Sequence, residues 1–209
     1  METLNQSCLP IPAKRSGWIS LLLSSPALLI CMAMLVWTIT SAQTSANTPA
    51  AGNISEESLK AAFVYKFLGY AEWPSASFKN ARSSYVIGVI GSPDIADALA
   101  QIVPGRTVNG REVLVKKLKD GESLAGLHLL VIDGLGAVQL GHLLAEAQRH
   151  SILTVTQTDG ALSAGSIINF VNMDRKIRFE VSLEAAEKSG LKLSSRLLPV
   201  AHRVIPKRS

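Results

Sequence analysis

The sequence predicts a single three-layer α/β domain: a mixed, mainly parallel sheet with helices on both faces, a Rossmann-like middle and a C-terminal hairpin. Three features predict it. Residues 84–90 (SYVIGVI), 127–132 (LHLLVI) and 152–156 (ILTVT) are continuous apolar runs, too short for ordinary helices, and read as strands buried on both faces. Helical periodicity fills two of the intervals between strands, around Ile95, Ala98, Leu99 and Ile102 and around Val138, Leu140, Leu144 and Ala147. Beyond them, Ile177, Phe179 and Val181 alternate with Arg178, Glu180 and Ser182, the period of a half-buried strand, opposite a strand carrying Ile168 and Phe170 on one face.

Taken in order, the chain opens on Lys14 and Arg15, an apolar run at 18–39 and the small residues Thr40-Ser41-Ala42. That is the layout of a secretory signal peptide over residues 1–42, and the run is also long enough to serve as an uncleaved anchor. Either way the rest is exported. Residues 43–54 are small and polar and read as a linker, 55–205 as the domain and 206–209 as a basic tail. Both cysteines, Cys8 and Cys31, fall in the presequence, so the exported domain has no thiol for a disulfide, a metal or a nucleophile. The leader raises the hydrophobic share to 47% and the mean hydropathy to +0.25.

Within the domain, Ser55 caps a helix from Glu56 to about Ala71, with Leu59, Ala62, Phe63, Phe67 and Tyr70 as its apolar stripe and Trp73-Pro74 as its end. Ser92 and Pro93 open the next helix. Asn109-Gly110 is a strong hairpin signal, leading into a strand at 113–118. Residues 136–149 form the third helix. Asn172 to Arg175 reverse the final hairpin, Ser182 caps a short helix, and Gly190 ends it. Ser194 or Ser195 opens a last helix to about Ile205. Its apolar residues cover more of its circumference than one-sided packing needs, although Pro199 shortens or kinks it. Arg196, Leu198, His202 and Arg203 on this helix are the candidate partner-binding residues.

Several stretches together resemble the YfiR/HmsC family of bacterial periplasmic regulators. They are Gly165, Ile167 or Ile168, Asn169 and Phe170; Arg178 to Val181; Ala185 to Leu198; the opening segment at 59–74 with its Glu-Trp-Pro end; and the strand, turn and helix block at 85–156. The resemblance implies a periplasmic repressor without cofactor. Its partner would be the exported sensor region of an inner-membrane diguanylate cyclase, whose repression limits cyclic di-GMP and biofilm growth. It also implies an outer-membrane lipoprotein that sequesters the repressor, and a homodimer. Family members commonly carry a cysteine before the central-strand histidine. Here Leu127 precedes His128, which removes disulfide-based control.

The residues themselves argue against catalysis. His142, Glu146 and His150 are spaced along one helix but lack the His-Glu-x-x-His pattern, and read as a solvated face. His128 lies inside a buried strand and reads as a neutral, hydrogen-bonded core residue. Ser163 and Ser166 have no nucleophile elbow. The alternative reading is a small-molecule site at the sheet edge near Gly91, Asp133 and Asp159, where open α/β sheets gather ligands. The formal charge is +5. Its basic residues are scattered apart from Lys116-Lys117-Lys119 and Arg203-Lys207-Arg208, and no aromatics interleave with them, which argues against nucleic acid.

Overall fold

The computed structural model describes residues 55–207. The expected leader (1–42), the linker (43–54) and the last two residues of the tail lie outside the described residues. The described chain runs α1 (Glu56–Phe67), β1 (Ala71–Glu72), β2 (Tyr85–Ile90), α2 (Pro93–Ile102), β3 (Thr107–Val108), β4 (Arg111–Lys117), β5 (Leu129–Ile132) and α3 (Ala137–Arg149). It continues with β6 (Leu153–Thr156), β7 (Ile168–Met173), β8 (Lys176–Ser182), α4 (Leu183–Lys188), β9 (Lys192–Leu193) and β10 (Arg203–Ile205).

The large sheet has the order β10-β8-β7-β6-β5-β2-β4-β3. Strands β4, β2, β5, β6 and β7 are parallel neighbours, whereas β7–β8 and β3–β4 are antiparallel hairpins. The sheet is therefore mixed and mainly parallel, as the sequence predicts. One face carries Ile87, Val89, Leu129, Val131, Val155, Phe170 and Phe179 beneath α1 and α2; the other carries Ile90, Leu130 and Ile132 beneath α3. Both core layers are built from residues beyond Ser55, so this unit contains its own core.

The local signals hold where they rest on backbone geometry. Asn109 and Gly110 both have positive φ (50° and 75°), as a tight hairpin turn requires. The second hairpin turns at Asp174 and Arg175 (φ 52° and 59°), with Met173 opposite Lys176. The side chains of Ser55 and Ser182 accept from the N–H groups of Ser58 and Ala185, at 3.1 Å in each case. Ser92 makes no such side-chain bond, and Pro93 at the first helical position carries that start.

Three expectations are corrected. Helix α1 ends at Phe67 rather than near Ala71, because Ala71 and Glu72 leave it to pair with Leu193 and Lys192, beyond the flexible Gly69. Its most buried residues are Ala61, Val64 and Phe67, while Leu59 sits at the rim. Val138 on α3 points outward at 76% exposure. The largest correction concerns residues 195–205, which are not a helix. Pro199 allows only a single 3₁₀ turn (Leu198–Val200), and the chain then extends so that Val204 lies beside Val181, parallel to β8. The His202 N–H donates to the Phe179 carbonyl at 2.8 Å, starting this edge strand.

Candidate docking surface

At the C-terminal edge of the central strands, β2 and β5 run close together. The backbone of Asp133 crosses so near Gly91 that a Cβ there would stand 1.8 Å from the Asp133 carbonyl oxygen, and Gly91 has φ +78°. Gly88 is likewise confined, since a Cβ would meet Leu118 and Leu127 at 2.8 Å. The two glycines thus serve close packing of backbone and side chains. The Asp133 carboxylate accepts a hydrogen bond from Gln157 Nε2. Of the three residues expected at a ligand edge, Gly91 and Asp133 are thus adjacent, and Asp159 is exposed in the loop after β6.

The opposite, N-terminal edge of the same strands is an aromatic box. His128, 4% exposed, stacks on Phe78 with ring centroids 4.6 Å apart, and Tyr85 and Trp73 meet it edge-on. Trp73 Nε1 donates to the His128 carbonyl at 3.1 Å, so the Trp-Pro pair latches the segment after α1 onto β5. His128 Nδ1 accepts from the Val86 N–H at 3.2 Å. The ring proton of the neutral imidazole then belongs on Nε2, which is buried without a partner. Burial pushes the pKa of His128 down, the Ser77 backbone acts in the opposite sense, and the charge of Arg111 adds to the lowering. Arg111 itself lies over Phe78, 4.0 Å from the ring centroid. The histidine is thus neutral and in the core as expected, but only one of its nitrogens is satisfied.

Asn169, from the Ile-Asn-Phe strand, is buried in a polar set with Thr156 and Ser166. Thr156 Oγ1 lies 2.7 Å from Asn169 Oδ1 and 2.9 Å from Ser166 Oγ; the Thr158 N–H also donates to Asn169. These bonds pin β7 to β6. On α3, His142 and His150 are exposed, and no group of metal-ligating side chains is assembled among the described residues.

The C-terminal segment is the part that stays open. Leu198 is half-buried against the core beside the buried Leu197. It also lines a hollow of about 400 Å³ with Leu183, Leu191, Leu193 and Ser195. Arg196 is exposed next to this hollow. Arg203 is committed elsewhere: its Nε and Nη2 donate to the two carboxylate oxygens of Glu180 at 2.8 and 2.9 Å. His202 lines a second hollow, of about 580 Å³, with Met173, Lys176, Arg178 and Val200. The four candidate residues thus divide between two hollows and an ion pair. The sequence reading treated Asn172 to Arg175 only as a turn and missed the basic run Arg175-Lys176-x-Arg178. Its signal was the clustering of three cations in four residues beside Met173.

The hollows of this α/β domain thus lie at its C-terminal hairpin, edge strand and the segment between them. The family model described as YfiR/HmsC-like matches residues 57–202, and the chain belongs to that family. At the level of the family, the match supports a regulator of diguanylate cyclase signalling. No curated protein matches the chain. Among the described residues, no helix is long and apolar enough to cross a membrane.

Proposed function

We propose that this protein is exported by its leader (residues 1–42) and acts in the periplasm as a repressor. It binds the exported sensor region of an inner-membrane diguanylate cyclase and holds the cyclase inactive, limiting cyclic di-GMP and biofilm formation. The family match over residues 57–202 carries this reading. An outer-membrane lipoprotein that sequesters the repressor, and a homodimer, are the further partners it includes. To act, the repressor must bind the inactive receptor more tightly than the active one. A preference of about 10⁴-fold, ~5.5 kcal/mol, switches the receptor almost completely.

The receptor contact falls in the open C-terminal segment, where apolar walls at Leu183, Leu191 and Leu193 meet Leu198 and a rim at Arg196, with His202 and Arg203 following. Because Leu198 packs on the core and Arg203 holds Glu180, substitutions there mix folding with binding. Ser195 is exposed and lines the hollow, so Ser195→Trp fills it without removing a core side chain.

The test is genetic and biochemical. In a strain that holds the partner cyclase, deletion of the gene raises cyclic di-GMP, and restoring the wild-type protein lowers it. The exported domain retains the cyclase in a pull-down from solubilised inner membrane, and Ser195→Trp loses it. An unchanged nucleotide level in the deletion strain counts against the function.

A further inference from the structure

Three of the exposed large apolar side chains, Leu59 (37%), Met173 (40%) and Val200 (60%), gather round one place, the tip of the β7–β8 hairpin. Leu59 shares a hollow with Arg175, Lys176 and Arg178 on one side of the tip. Val200 and Met173 share another with Lys176 and Arg178 on the other side. None of these three cations has an ion-pair or hydrogen-bond partner among the described residues, whereas Arg203, Lys117, Lys188 and Lys207 are all paired with carboxylates. Two carboxylates line the hollows, Asp174 and Glu56, and Glu56 is already paired with Lys60 at 2.6 Å. The tip therefore carries unneutralised positive charge around isolated apolar side chains.

The chain enters the domain at this same end. Glu56 and Leu59, in the first turn of α1, line the hollow beside the hairpin. The stretch from Thr40 to Ile54 joins that turn to the apolar run at 18–39. At full extension it reaches about 50 Å. A domain leaving a bilayer through this stretch, during export or on an anchor, has the hairpin tip within reach of the lipid surface.

We propose that the β7–β8 hairpin tip is a docking site for an anionic phospholipid surface. Met173, Leu59 and Val200 enter the boundary between headgroups and acyl chains. Arg175, Lys176 and Arg178 lie among the phosphates, with their aliphatic stems along the apolar side chains. An apolar–basic tip of this size gives weak, salt-sensitive binding, since stable anchoring takes a second signal. Docking confines the protein to the surface on which a membrane receptor would be found. It stands apart from the receptor reading, whose test is the nucleotide level.

The test uses residues 51–209, which contain the whole core, so that the apolar leader does not itself bind lipid. Sedimentation is compared with vesicles of pure phosphatidylcholine and of phosphatidylcholine mixed with phosphatidylglycerol. The expected result is partition into the anionic vesicles alone, lost at 1 M salt, where the screening length falls to about 3 Å. Each cation near an anionic surface contributes about fivefold. Arg175→Glu/Lys176→Glu therefore lowers partition by at least about 25-fold. Met173→Ser lowers it further in low salt, and neither variant moves the melting temperature appreciably. Equal partition into both vesicle types overturns the proposal, as does undiminished binding by Arg175→Glu/Lys176→Glu. A tip that ignores both vesicles while the same double variant loses an acidic protein partner also overturns it, and assigns the surface to that protein instead.

Discussion

The middle of the sheet and its C-terminal flank are built from similar residues and differ in how they are covered. Strands β2, β5 and β6 have α1 and α2 on one side and α3 on the other, and nearly every side chain on them is buried. Strands β7, β8 and β10 are covered from the α1 side, through Phe170, Phe179 and Val181, while Val171, Met173, Lys176 and Arg178 on the other side are half-buried or exposed. Polar groups in the middle are consequently absorbed by the structure itself: Asp133 by Gln157, and Thr156 by Ser166 and by Asn169 of the adjoining β7. On the flank, cations stay unpaired and hollows stay open. A carboxylate at a strand end is a weak guide to a site when a neighbouring amide already occupies it.

The sharpest way to break the comparison is to remove the support the flank does have. Phe67 packs on Phe179 (centroids 5.1 Å apart), Phe170 and Phe63. Phe67→Ala is expected to cost about 3–5 kcal/mol in urea unfolding. A loss below about 0.5 kcal/mol, the ordinary range of surface substitutions, means the flank does not depend on α1.

In the middle of the sheet, Gly91→Ala forces both a left-handed backbone and a clash with the Asp133 carbonyl. It should destabilise by at least about 2 kcal/mol. Full stability would show that the backbone at this edge yields to a side chain.

His128 sharpens the same contrast through pH. Its folded pKa lies below the ordinary 6.5, chiefly because burial disfavours the charged ring. The unfolded chain therefore takes up the proton first as pH falls. The stability tied to the neutral ring is complete above about pH 6.5 and is lost as pH drops below it through the folded value. Protonation also converts Nδ1 from acceptor to donor against the Val86 N–H. Melting curves of the wild type should fall from neutral to mildly acidic pH, and those of His128→Asn should fall less. Parallel curves would remove His128 from the account.

The smallest effects belong to the outermost positions. Val138→Asp on α3 should change stability by no more than about 0.5 kcal/mol and leave signalling intact. Ser195→Trp should be equally mild in stability yet lose the receptor. A shared loss of signalling in both would show that the docking surface extends round to α3.

The sequence by itself determined what depends on neighbours along the chain. Asn109-Gly110 could only be a tight turn, Ser55 and Ser182 cap helices through groups three residues away, and uninterrupted apolar runs required strands buried on both sides. The matching motifs likewise placed the chain among the YfiR/HmsC-like regulators. Tertiary structure decided what depends on partners far away in sequence. Val204 and Ile205 have apolar side chains that suit a helix or a strand, and the free edge of β8, more than twenty residues earlier for Arg203 and Glu180, made residues 203–205 a strand. Ala71 and Glu72 left helix α1 because Leu193 and Lys192 offered a ladder. The half-satisfied state of His128 depends on Val86, and the unpaired charge at the hairpin tip on Lys60 and Arg203 holding Glu56 and Glu180. A backbone group pairs with whatever edge the fold brings to it, and a local pattern holds no record of that edge.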